Sequence, residues 1–182
     1  MKTKHLVFTA IFLALIFLTT SLFKIPISIG WGYVHFGDLA VMLSGMLLGP
    51  VLGSIAAAFG SSLADITGGF LIYAIPTFIV KGTLAFAVGS LYKKYKDTQK
   101  DMPYTFKVIL HSVLAIVIVV GGYFITDVIL AHFAFVDAEG SRSIAYALFG
   151  VLPNLIQVAF GVITSLLFYM PLKKPFDDIY YK

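Results

Sequence analysis

The sequence predicts an all-α integral membrane protein, a single domain over 1–182 built as a six-transmembrane-helix bundle with both termini cytoplasmic. Three observations carry that prediction. Hydrophobic residues make up 59% of the 182-residue chain and charged residues only 12%, against about a quarter in soluble domains. The apolar residues fall into several long runs, the longest matching the ~20 residues that cross a bilayer core. Lysines cluster on alternate connections between those runs, the pattern that fixes orientation in a membrane.

The first helix covers about 4–23. Its basic start (Lys2, Lys4) resembles a signal peptide. No small-x-small cleavage site precedes Lys24 and further spans follow, so it reads as a retained helix. Ala10 and Ala14 form a small-xxx-small pair on it, the spacing that lets another helix approach closely. The stretch Lys24 to His35 (KIPISIGWGYVH) is broken by Pro26, Gly30 and Gly32 and carries the interfacial aromatics Trp31 and Tyr33. A second helix, about 37–48, stops at Gly49-Pro50, and a third runs over about 51–66. The fourth, about 70–92, follows a Thr67-Gly68-Gly69 turn and contains Pro76 and Lys81. A polar linker (KKYKDTQKDMP) leads to the fifth helix, about 104–131, with Gly121-Gly122 as a flex point. The sixth spans about 144–170, and a polar tail ends the chain. With the amino terminus inside, ten lysines lie on the cytoplasmic side and only Lys24 and Arg142 lie outside.

The long glycine-rich stretch from Phe36 to Gly89 organises the bundle. Gly45-Gly49-Gly53, Ala56-Gly60-Ala64 and Gly82-Phe86-Gly89 recur at helix-neighbour spacings and predict backbone-close crossings.

Several function classes are excluded. The net charge of +4 sits at segment ends rather than on an aromatic-interleaved face, so nucleic acid is not a partner. The chain has no cysteine, hence no thiol nucleophile and no thiolate metal site. There is no GxxxxGKS/T phosphate loop, HExxH or GxSxG, and His5, His35, His111 and His132 are scattered. The chain reads as a binding or transport protein, with no enzymatic activity and no cofactor or metal.

Ionisable groups within apolar segments are expensive and point to function. Lys81 falls near mid-bilayer and should face the interior, with Asp65 or Asp127 as its counter-charge. It either contacts a solute or belongs to an ion pair that only orients helices. Asp38 at the start of the second helix reads as a carboxylate meeting free backbone N–H groups, or as a ligand contact. Asp65 carries the same two readings. Asn154 and Gln157, i and i+3 on the sixth helix after Pro153, either join helices or hydrogen-bond a solute. Trp31, Tyr33, Phe70, Tyr73 and Tyr146 gather toward the outer mouth, where a flat polar heterocycle fits.

The run YVHFGDLAVMLSGMLLGPVLGSIAAAFGSSLAD, then LIYAIPTFIVKG and LPNLIQVAFG, resembles the substrate-binding S components of energy-coupling factor (ECF) vitamin transporters. It is most similar to the branch assigned to hydroxymethylpyrimidine, pyridoxine-type or related vitamins. The resemblance implies a vitamin binder of the bacterial cytoplasmic membrane that docks on one transmembrane coupling subunit and two ATPase subunits. It implies docking through the helix-1 face at Ala10 and Ala14. It also implies a pocket drawing on Trp31, Tyr33, His35, Tyr73, Lys81, Asp127, Asn154 and Gln157, with the loop between the first two helices as a lid. Asp38 and Asp65 remain structural or ion-pair residues in that reading. The alternative is a stand-alone ion-coupled permease with Lys81 and Asp65 as its coupling pair; a membrane scaffold with a purely architectural ion pair is the third reading.

Overall fold

The computed structural model describes residues 3–22, 25–26, 33–97, 103–133 and 140–180. Among them are six α-helices: α1 (Thr3–Leu22), α2 (Gly37–Leu48), α3 (Pro50–Thr67), α4 (Ala74–Asp97), α5 (Tyr104–Phe133) and α6 (Gly140–Tyr180). Five helical segments are long and apolar enough to cross a membrane: Thr3–Leu22, Pro50–Thr67, Leu71–Lys93, Thr105–Phe133 and Ile144–Tyr180. The sixth, α2, has 12 residues and reaches only ~18 Å.

Its shortness matches its place. Every residue of α2 except Leu39 is buried, and α1, α3, α4 and α6 all pack against it. The core therefore gathers on α2, with Val41 and Met42 meeting Ile16, Ala57, Leu84, Val88 and Val158. Large apolar side chains such as Ile11, Phe59, Ile79, Val117 and Leu167 point outward. That surface suits lipid, which solvates hydrocarbon as readily as a core does.

The glycine spacings act as backbone contacts. A Cβ at Gly45 would run into the Ala85 carbonyl, one at Gly53 would lie 2.6 Å from the Ser44 carbonyl oxygen, and one at Gly89 would lie 2.7 Å from the Pro50 nitrogen. Helices α2, α3 and α4 thus mesh with no side chain between them. Gly60 does the same for α1, where a Cβ would sit 2.7 Å from the Leu13 carbonyl oxygen. Two hydroxyls reinforce α3 against α4, with Ser54 donating to the Gly82 carbonyl and Ser62 to the Ala74 carbonyl. Between α2 and α3 the chain turns at Gly49, whose φ of 85° lies in the left-handed region. Glycine adopts that conformation without penalty, and Pro50 then opens α3 at a position that needs no N–H donor.

Several boundaries differ from the sequence reading. Within Lys24 to His35, two short strands, β1 (Ile25–Pro26) and β2 (Tyr33–Val34), pair antiparallel. A 3-10 turn, Leu71–Tyr73, precedes α4, so Pro76 falls in the first turn of α4, where its missing donor costs no hydrogen bond. The far end of α4 continues to Asp97, into the segment read as a linker. Gly121-Gly122 is no break: α5 runs through it, and Gly122 gives Val80 room, since a Cβ there would lie 2.7 Å from the Val80 side chain.

The largest difference is the tail. Helix α6 has 41 residues and ends at Tyr180, passing Pro153, Pro171 and Pro175. Phe176 and Tyr180 lie one turn apart and pack on the start of α1. Phe8 meets Phe176 edge-on at 5.2 Å and Tyr180 at 5.5 Å, and His5 lies 4.7 Å from Tyr180. Burying Tyr180, 2% exposed, outweighs the disorder a charged, proline-bearing tail would otherwise favour.

Candidate functional site

Helices α4, α5 and α6 each present polar residues one turn apart, and these line up into one seam. On α4 and the turn before it the residues are Tyr73, Thr77 and Lys81; on α5 they are Tyr123 and Asp127; on α6 they are Asn154 and Gln157, with Gly150 one turn before them. The i, i+3 and i, i+4 spacings stack them along one helix face. Tyr73, Thr77, Lys81, Asp127 and Gln157 are buried, and Asn154 is half-buried.

The deep end of the seam is a charged knot. Lys81 is fully buried, and its Nζ donates to Oδ1 of Asp38 in a salt bridge. The second carboxylate oxygen, Oδ2, accepts from Gln157 Nε2 at 3.0 Å. Gln157 Oε1 in turn accepts from the His35 backbone N–H at 3.2 Å, and His35 Nδ1 accepts from the Gly37 N–H at 2.9 Å. The Lys81 ammonium also lies 5.1 Å from the Tyr123 ring centroid, within cation–π range. The Tyr123 hydroxyl pairs with Thr77 Oγ1 at 3.0 Å. One chain of bonds therefore joins α2, α4 and α6 to His35, between β2 and α2.

Close packing makes the knot possible. A Cβ at Gly161 would lie 2.7 Å from the Asp38 Cβ, and one at Gly37 would strike the Thr20 hydroxyl. Small residues let α6 and α1 close on Asp38 and remove it from water. A buried charge is tolerated only with a partner and satisfied hydrogen bonds, and Asp38 has both.

One turn along, the seam changes character. The Tyr73 hydroxyl donates to Asp127 Oδ1 at 2.9 Å, and Tyr146 lies near Tyr73. Asp127 Oδ2 lies against Gly150, where a Cβ would sit 2.7 Å from the oxygen and 3.7 Å from Asn154 Nδ2. No salt bridge reaches this carboxylate among the described residues.

The sequence-predicted residues distribute as follows. His35, Asp38, Lys81 and Gln157 meet in the knot; Tyr73 and Asp127 form the second group, with Asn154 beside it. Trp31 lies outside the described residues, and Tyr33 enters only through its backbone pairing with Pro26. Asp65 is buried near the end of α3. Ala10 and Ala14 are exposed on the face of α1 that also carries Val7, Ile11 and Leu18.

Two expectations are corrected. Lys81 pairs with Asp38 rather than Asp65 or Asp127, because α2 packs between α4 and α6 and brings its first turn to the middle of α4. Asp38 is not an N-terminal cap: α2 has no side-chain cap hydrogen bond, and both carboxylate oxygens are taken by Lys81 and Gln157. Sequence reasoning missed Thr77, Tyr123 and Gly150 as parts of the seam. Their four-residue offsets from Lys81, Asp127 and Asn154 were the available signal.

A separate polar group lies deeper along α2. His111 Nε2 contacts Met42 Sδ at 3.2 Å, Ser165 Oγ reaches the same sulfur at 3.6 Å, and Tyr92 meets the His111 ring edge-on. It joins α2, α4, α5 and α6 without a charge.

Comparison with known proteins gives a consistent result. Residues 1–174 match the family model described as "ECF-type riboflavin transporter, S component". An "Uncharacterized protein in gap 3'region" of Pyrococcus woesei is 33% identical over 134 residues, covering 74% of this chain and 85% of that protein. Among solved structures, the S component for biotin from an ECF-type ABC transporter superposes with a TM-score of 0.62 at 21% identity, over 92% of this chain and 94% of that one. At that identity the likeness concerns the fold.

Proposed function

Since the chain belongs to the family of ECF-type riboflavin transporter S components, a family of substrate-binding membrane proteins rather than enzymes, we propose that it captures a water-soluble vitamin or vitamin precursor outside the cell. Delivery inward then runs through an ATPase module of one transmembrane coupling subunit and two ATPase subunits. The ligand class we favour is a hydroxymethylpyrimidine or a pyridoxine-type ring.

One observation carries this reading: a polar seam, buried among three apolar helices, runs from a charged knot to a second carboxylate, Asp127, that is held by Tyr73. Burying so many polar groups among apolar helices costs more than close packing of small residues requires to hold a bundle together in lipid. A binder needs them to replace the water that a polar ring leaves behind. In this proposal Tyr73, Asp127 and Asn154 meet the ring and Lys81 and Gln157 form the floor. His35 anchors the connecting segment, and Trp31 and Tyr33 close over the ligand. With both termini cytoplasmic, the β1–β2 end faces outward, and the exposed Ala10–Ala14 face of α1 docks on the coupling subunit.

Uptake by cells expressing the chain with and without the module tests the proposal. Uptake should require the module, while the purified chain binds vitamin alone. Ala14→Trp should abolish uptake and leave binding by the purified protein intact. Gradient-driven uptake by the chain reconstituted alone would overturn the proposal in favour of an ion-coupled permease.

A further inference from the structure

The two carboxylates of the seam differ in one respect that bears on the ligand. Asp38 is neutralised at contact distance by the fully buried Lys81, and its other oxygen is held by Gln157. Asp127 is nearly as deep, 7% exposed, yet its hydrogen-bonding partner is the neutral Tyr73 hydroxyl. Among the described residues no lysine, arginine or histidine stands within ion-pair distance of it.

A carboxylate inside a membrane protein without a counter-charge is costly, and such groups persist where function uses them. The surroundings of Asp127 support that use. Gly150 leaves room for Oδ2 at the α6 surface, where any Cβ would collide with it, and the Asn154 amide lies next to the same spot. Both Gly150 and Asn154 are only half-buried, so the carboxylate is less enclosed than the knot is. Tyr73 and Tyr146 supply aromatic surface beside it.

We propose that Asp127, and not Lys81, is the charged group that meets the ligand, and that it selects a nitrogen heterocycle carrying an amine or a protonatable ring nitrogen over a carboxylate vitamin. This rests on the vitamin-binding reading above and narrows it. The ligand's N–H groups donate to Asp127, and its nitrogen, when protonated, brings the positive charge that the described residues do not offer. A carboxylate ligand would bring a second negative charge to the same spot. The one buried ammonium of the seam is already bound on Asp38. Lys81 is then a positioning residue, which fixes α2 against α4 and orients Gln157 through Asp38.

The test is titration of the purified full chain in lipid nanodiscs with five compounds: 4-amino-5-hydroxymethyl-2-methylpyrimidine, pyridoxamine, riboflavin, biotin and pantothenate. The two amine-bearing rings should bind most tightly. Asp127→Asn keeps an acceptor for Tyr73 and should weaken them about 10- to 100-fold, the loss of a charge-assisted hydrogen bond. Asp127→Glu, which restores the charge, should keep the preference for amines over carboxylates. A thermal melt of each variant establishes that it is folded. Tighter binding of biotin, pantothenate or riboflavin by the unaltered chain overturns the proposal. So does an unchanged amine affinity in folded Asp127→Asn. Binding of none of the five sinks the vitamin-binding reading itself, a result distinct from binding with the wrong preference.

Discussion

Asp38 and Asp127 lie in one seam, both buried, and are held by opposite means. Around Asp38 the protein supplies everything: an ammonium, an amide and tight glycine contacts. Around Asp127 the described residues supply a phenol and a neighbouring amide and no balancing charge. The difference separates architecture from recognition. A group whose needs are met within the chain stabilises the fold, and a group whose needs are half met is available to something else.

The sharpest way to break this comparison is to remove the ammonium. Lys81→Met leaves Asp38 as an uncompensated buried charge and should destabilise the protein by about 3–5 kcal/mol, seen as a large drop in melting temperature. Adding Asp38→Asn to that variant should recover most of the loss. If Lys81→Met melts like the unaltered protein, the knot is not architectural. A smaller effect is expected from Gln157→Leu, which deprives both Asp38 Oδ2 and the His35 N–H of a partner. About 1–3 kcal/mol fits an unsatisfied buried group, and amide exchange should rise at His35. The smallest belongs to the second carboxylate. Tyr73→Phe removes one hydrogen bond from a half-satisfied group and should cost about 0.5–1.5 kcal/mol in the same melt. A Tyr73→Phe loss equal to that of Lys81→Met would erase the distinction between the two sites.

Much of the fold was legible because lipid imposes simple rules. Apolar runs became helices, and the spaced glycines at 45, 53, 60 and 89 became backbone contacts, since small residues are what close helix approach requires. The identity of the pairs was not legible. Which carboxylate meets Lys81 depends on which helices are neighbours, and nothing in the spacing of Asp38, Asp65 and Asp127 encodes that α2 fills the centre. Asp38 also resembled an ordinary helix-start carboxylate, a role that local sequence supports equally well. The tail was misread for a different reason. Lysines and prolines after Met170 signal a stop, and the opposing signal, Phe176 and Tyr180 one turn apart, gains meaning only once α1 is beside them.

That clasp between His5, Phe8 and Phe12 on α1 and Phe176 and Tyr180 on α6 brings the start of α1 and the end of α6 to one rim. The two outermost helices in chain order are thereby tied by stacked rings rather than by the polypeptide between them, so a force on the last turns of α6 is passed directly to the first turns of α1.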